Sequence, residues 1–127
     1  MNTPLARSFL EKAQLRLKRI AKEAVEPDEA SIVFEEVYES LRESAQALME
    51  IKGYKPYSHE ALISFLKEER LLSLDTITVL DNYRIIRNNS VYRAEKVSLQ
   101  KCREALKFAQ VTIPKIRHIF EKLALGL

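Results

Sequence analysis

Glycine and cysteine are nearly missing from this sequence. Its 127 residues include two Gly, four Pro, one Cys and no Trp. Two glycines cannot build a Gly-rich phosphate loop or a dinucleotide-binding fingerprint. A single Cys excludes a disulfide framework and a Cys-based zinc site. His59, Cys102 and His118 lie far apart and give no metal-ligand spacing, so neither a metal nor another cofactor is expected. No apolar run approaches the ~18 residues of a membrane-spanning helix, and no membrane association is expected. Met1–Phe9 carries Arg7 and lacks a long apolar stretch, unlike a signal peptide, so a cytoplasmic location is expected.

Hydrophobic residues are plentiful, at 46%. A chain this long hides roughly two-thirds of its unfolded surface on folding. Residues 1–127 therefore read as one domain. Its charge is unevenly spread. Residues 1–82 hold 11 Lys/Arg against 15 Asp/Glu, a balance of −4, and residues 83–127 hold 10 against 3, or +7. A basic final third on an acidic body suggests a localised anion-binding face, or else a solvated Lys-rich helix.

Apolar residues recur at spacings of three and four through most of the chain. Thr3-Pro4 reads as a helix start, followed by an apolar face from Leu5 to Ala24. Pro27 interrupts it, and Asp28 is positioned to cap a second helix that Gly53 stops. Gly53–Ser58 is a loop, with Ser58 as the cap of a short helix through Leu66. Ile77-Thr78-Val79 favours strand locally, yet the helical period persists across Leu71–Val91 and predicts helix. Ser98 caps a last helix with an apolar face from Cys102 to Leu123, in which Pro114 should produce a kink. The longest helices are expected near Ser31–Ile51 and Ser98–Leu123. Four to five amphipathic helices with short connections predict an all-α antiparallel bundle.

The densest polar cluster is Tyr83–Arg93, expected where a long helix gives way to a loop. Arg84 and Arg87 are three residues apart and share a helical face with Val91. Two Arg on one face need carboxylates or an external anion between them. Glu35, Glu39 and Glu43 of the acidic second helix are the internal candidates, while a phosphate would be the external one. Tyr54 and Tyr57 around Lys55 either stack a base or cover the end of the bundle. Cys102 falls on the apolar face of its helix and reads as core.

Three features together resemble the HEPN domain (higher eukaryotes and prokaryotes nucleotide-binding). They are the Ala13–Ala24 helix with an acidic second helix, the segment Gly53–Leu62, and Arg87-Asn88 followed by a short polar turn and a last helix rich in Ala and Leu. The resemblance spans nearly the whole chain and rests on order and spacing. It implies a helical bundle that dimerises. Many members are metal-independent ribonucleases, and some are toxins of toxin–antitoxin pairs or partners of a minimal nucleotidyltransferase.

The family's motif is an Arg, a polar residue, and a His four to six residues beyond the Arg. Arg87 and Asn88 match its first two positions, and Tyr92 occupies a slot where His is expected. Metal-free RNA cleavage must deprotonate a 2′-hydroxyl and protonate the leaving oxygen. A His, with a pKa of ~6.5, serves both needs, whereas an ordinary Tyr at ~10 is a poor base at neutral pH. Arg87 can hold only a phosphate or a charged transition state.

The expectation is therefore a homodimer that binds RNA, a nucleotide or a nucleotidyltransferase partner with weak or no cleavage. Arg84, Arg87, Arg93 and Lys96 form its proposed binding surface, extended by Lys101 and Arg103. Arg87, Asn88 and Tyr92 are its degenerate catalytic set. An active ribonuclease would need Tyr92 or His59 in the missing role, although His59 reads first as decoration of its loop, and His118 lacks a nearby carboxylate to orient it. A third reading is a structural adaptor whose Arg are satisfied by the second helix and whose apolar face binds another helix.

Overall fold

Asn2, rather than Thr3, caps the first helix: its side chain accepts from the Leu5 N–H at 3.0 Å. Pro4 then falls in the first turn, where a missing N–H costs nothing. The computed structural model describes residues 2–54 and 58–126. Five α-helices follow in order: α1 (Thr3–Ile20), α2 (Ala30–Ile51), α3 (His59–Glu69), α4 (Leu74–Arg93) and α5 (Leu99–Ala124). No strand occurs among the described residues, and the architecture is an all-helical bundle.

α1 stops at Ile20, a turn short of the apolar pattern that suggested Ala24. Lys18 and Arg19 in its last turn complement the negative end of the helix. Asp28 does not cap α2. Pro27–Glu29 instead winds as one 3₁₀ turn that feeds directly into α2 without a side-chain cap.

α2 is the central helix. Fourteen of its 22 residues are buried, and it packs against α1, α3, α4 and α5. Phe34, Val37, Tyr38, Leu41 and Leu48 are fully enclosed, each apolar side chain contributing roughly 2 kcal/mol by leaving water. Ser40 donates to the Ala13 carbonyl at 2.8 Å, which ties α1 to α2 and satisfies a buried hydroxyl. Arg16 on Glu43 adds a charged contact between the same two helices. Gly53, at φ 85°, ends α2 in the left-handed conformation its sequence position suggested.

Ser58 caps α3 as expected. The predicted helix across Leu71–Val91 is present but shifted: Arg70 turns left-handed, Ser73 caps, and α4 begins at Leu74. α4 also continues to Arg93, so the polar turn expected just after Asn88 is helical. Arg87 consequently lies well inside α4 rather than at its end. Ala94, at φ 52°, reverses the chain, and the Val97 N–H donates to Ser31 Oγ at 2.8 Å to hold the connection against α2. Ser98 caps α5, which runs as one helix through the exposed Pro114. Cys102, Ala105, Ala109, Ile113, Ile116 and Phe120 form its buried face. Lys55 and Tyr57, considered above for base stacking, lie outside the described residues, while Tyr54 is half exposed and tilts onto Phe65 at 5.2 Å.

Candidate anion-binding site between α2, α3 and α4

Position four residues apart on α2 puts Tyr38 and Arg42 on one face, directed at the start of α3. The Tyr38 hydroxyl lies 3.2 Å from Nδ1 of His59, and their rings are 5.6 Å apart between centroids. Burial pushes the Tyr38 hydroxyl up to about 12, against the opposing charges of Arg84, Arg87 and Arg42. Tyr38 is therefore a neutral phenol at any physiological pH. Burial also lowers His59 below its ordinary value; Arg42, Arg87 and Arg84 push the same way and Glu39 opposes them. The charges of three guanidinium groups from two helices thus act on one imidazole–phenol pair.

Carboxylates do not divide evenly among those three Arg. Arg42 is paired with Glu39 through both guanidinium and carboxylate forks, and also bonds Gln46. The pairing holds Glu39 below the usual carboxylate range. Arg84 is 16% exposed and donates to Asp81 at 2.8 Å, with Glu60 of α3 at 3.6 Å. Arg87 has no carboxylate within 4 Å among the described residues. Its Nη1 donates to Asn88 Oδ1 at 3.1 Å, and its guanidinium lies 5.9 Å from the centre of the Tyr92 ring.

The structural-adaptor reading assigned Arg84 and Arg87 to Glu35, Glu39 and Glu43, and the structure corrects it. Glu35 accepts from Ser90 at 2.7 Å, Glu39 takes Arg42, and Glu43 takes Arg16 and Lys12. Arg84 finds its carboxylates on α3 and on its own helix instead. The sequence carried half of this signal, because Asp81 precedes Arg84 by three residues. An anion poised between Arg84 and Arg87 is likewise not needed to separate them.

The remaining candidates scatter. Tyr92 is 75% exposed and Asn88 half-buried, both beside Arg87. Arg93 closes α4 and Lys96 lies in the following turn; both are exposed, and the leading charges acting on Tyr38 and His59 come from other residues. Lys101 is engaged by Glu104 at 2.8 Å, and Arg103 is exposed on α5. His118 is also exposed on α5, and Cys102 is buried core. No cluster of three or more metal-ligating side chains occurs among the described residues.

α4 also exposes large apolar side chains away from the core. Leu74, Ile85 and Tyr92 are exposed and separated by 11 and seven residues, close to three and two whole helical turns. They line the side opposite buried Leu80 and Tyr83. Of these, Tyr92 is the one whose ring lies near Arg87.

No protein-family model matches the chain, and no curated protein matches its sequence.

Proposed function

We propose that this chain is a HEPN-like domain that holds RNA phosphates through Arg87 as a homodimer, without efficient cleavage. The observation that carries the reading is Arg87 itself, the one member of the three-Arg cluster with no carboxylate partner among the described residues. A guanidinium fork of this kind matches a phosphate in shape and charge. The exposed Tyr92 ring next to it offers a stacking surface for a base. The exposed Leu74, Ile85 and Tyr92 side chains of α4 support a second copy as the dimer partner, because it would cover apolar surface that the single chain leaves in water. Tyr92 is unsuited to act as the missing base, which favours binding over turnover.

Anisotropy of a labelled single-stranded RNA tests this. Affinity should fall steeply with added salt, as phosphate contacts require. Arg87→Ala should lose about 1.5–3 kcal/mol of binding, the range for a hydrogen bond to a charged group. Failure of the wild-type chain to bind at low salt would refute the reading. The second reading, a metal-independent ribonuclease, gains from the charge of Arg87 acting on His59. Cleavage by purified protein that disappears in His59→Gln and persists in Tyr92→Phe would establish it instead.

A further inference from the structure

His59 has a place in this cluster that the binding of a phosphate by Arg87 does not by itself require. Tyr38 of α2 touches its ring, and the charges acting on it are Arg42 and Glu39 from α2 and Arg84 and Arg87 from α4. On its own helix Glu60 is turned to Arg84 and is 79% exposed. Glu39 is committed to Arg42, and Asp81 to Arg84. Thus the carboxylates around the imidazole are neutralised, and the uncompensated charge near it is the cation Arg87.

We propose that His59 forms the proton-linked half of the oxyanion site: a tetrahedral anion held by Arg87 also takes a hydrogen bond from the His59 ring, and its arrival draws a proton onto that ring. The inference rests on the proposed anion binding at Arg87 and adds a second donor and a pH dependence to it. Tyr38 is buried, and its hydroxyl needs an acceptor; Nδ1 of His59 is the partner within reach. A hydroxyl donating to Nδ1 leaves the proton of the neutral ring on Nε2. Nε2 has no hydrogen-bond partner among the described residues, so it can donate to a ligand oxygen. When the ring gains its second proton at Nδ1, the Tyr38 oxygen can accept it after rotation of its O–H bond. The same pair thus serves both protonation states without moving a heavy atom.

The direction of the coupling follows from charge. Before binding, burial and three cations disfavour the imidazolium. An anion beside Arg87 cancels part of that field and favours it. The bound state therefore holds more protons than the free state over a window near and below pH ~6.5, and affinity rises as pH falls through it. Phosphodiesters and sulfate keep constant charge in this range, so a pH dependence measured with either belongs to the protein.

The chain has only two His, which makes the test direct. The Hε1 signals of His59 and His118 are followed by NMR from pH 5 to 8, with saturating sodium sulfate or with sodium chloride at equal ionic strength. Exposed His118 on α5 is the internal reference. The pKa of His59 should rise by about one unit with sulfate, corresponding to about tenfold tighter binding at low pH than at high, while His118 barely moves. Arg87→Gln should remove the sulfate response. A short RNA in place of sulfate should produce the same rise; a response to sulfate alone would assign the site to small free oxyanions. If the His59 pKa is unmoved, moves only as much as that of His118, or still responds in Arg87→Gln, the proposal is wrong. RNA binding that depends on Arg87 without any shift at His59 would overturn this inference and leave the proposed function standing. A sulfate-driven shift in a protein that binds no RNA would do the reverse.

Discussion

The hydroxyl of Tyr38, on the central helix, is 3.2 Å from Nδ1 of His59 at the first position of α3. This contact joins a buried residue, 1% exposed, to a residue at the mouth of a cationic cluster. It makes the protonation of His59 a matter for the fold as well as for any ligand.

Stability should decline as pH falls from about 7.5 to 5.5. His59 is below its ordinary value in the folded chain because of burial and the charges of Arg42 and Arg87. The unfolded chain therefore takes up a proton first, as pH passes ~6.5, and this favours unfolding until the folded-state pKa is also passed. Urea midpoints for wild type should drop across this interval, and those for His59→Gln should drop less. Equal slopes for the two proteins would show that His59 is not the responsible group.

Arg84 and Arg87 should separate cleanly into structure and binding. Arg84 is largely enclosed and holds Asp81 and Glu60, so Arg84→Ala should lower unfolding free energy by about 1–2 kcal/mol. Arg87→Ala should leave it within about 0.5 kcal/mol, as removal of a side chain with no internal ion pair does. Denaturant melts of the two variants alongside RNA titrations check both halves. A large loss of stability in Arg87→Ala would make that residue a structural clamp.

Removal of Arg16 should be costly and removal of Lys12 cheap, although both hold the same carboxylate. Glu43 is 2% exposed; Arg16 Nε is 2.8 Å from it and Arg16 Nη2 is 3.4 Å away, a two-pronged contact. Lys12 reaches it only at 3.5 Å from an exposed position. Arg16→Ala strands a buried charge, at a cost of about 3 kcal/mol. Lys12→Ala should cost less than about 0.5 kcal/mol. Thermal or urea denaturation measures both, and equal costs would mean that Lys12 carries the pair.

Ile85→Glu should give a folded monomer. Ile85 is 45% exposed among the apolar side chains that α4 presents to solvent, so a carboxylate there is tolerated by the single chain but repelled by its copy. Light scattering should show wild type at twice the chain mass and the variant at one. A wild-type monomer at tens of micromolar would remove the dimer from the proposed function.

Most of the helical architecture was legible because it is written in local periodicity. Ser58, Ser98 and Gly53 marked boundaries that the chain uses, since caps and left-handed stops act within four residues. Thr3 carries as good a cap signal as Asn2, which the chain uses, and the apolar period runs on through Leu71 and Leu72 although Arg70 and Ser73 delay α4 to Leu74. The site was harder to read. Asp81–Arg84 and Glu39–Arg42 are pairs spaced by three and could be found in the sequence alone. The assembly of Tyr38, His59 and Arg87 could not, because it depends on how α3 and α4 meet α2. Composition correctly located a basic third, but it could not say that Arg84 is spoken for and Arg87 is not.

Arg70 and Ala94 both adopt φ 52°, a region that costs a side-chain-bearing residue roughly 1–2 kcal/mol. They close α3 and α4 respectively, so the segment that carries Arg87 begins and ends next to stored backbone strain. That segment rests chiefly on α2 and α3, while α1, α2 and α5 share the deepest packing. Amide hydrogens of α4 should consequently exchange with solvent before those of α2, through an opening that releases the strain and leaves the other helices assembled. A ligand bridging Arg87 to His59 would fasten this segment to α3, so occupancy would be recorded as slowed exchange along the whole of α4.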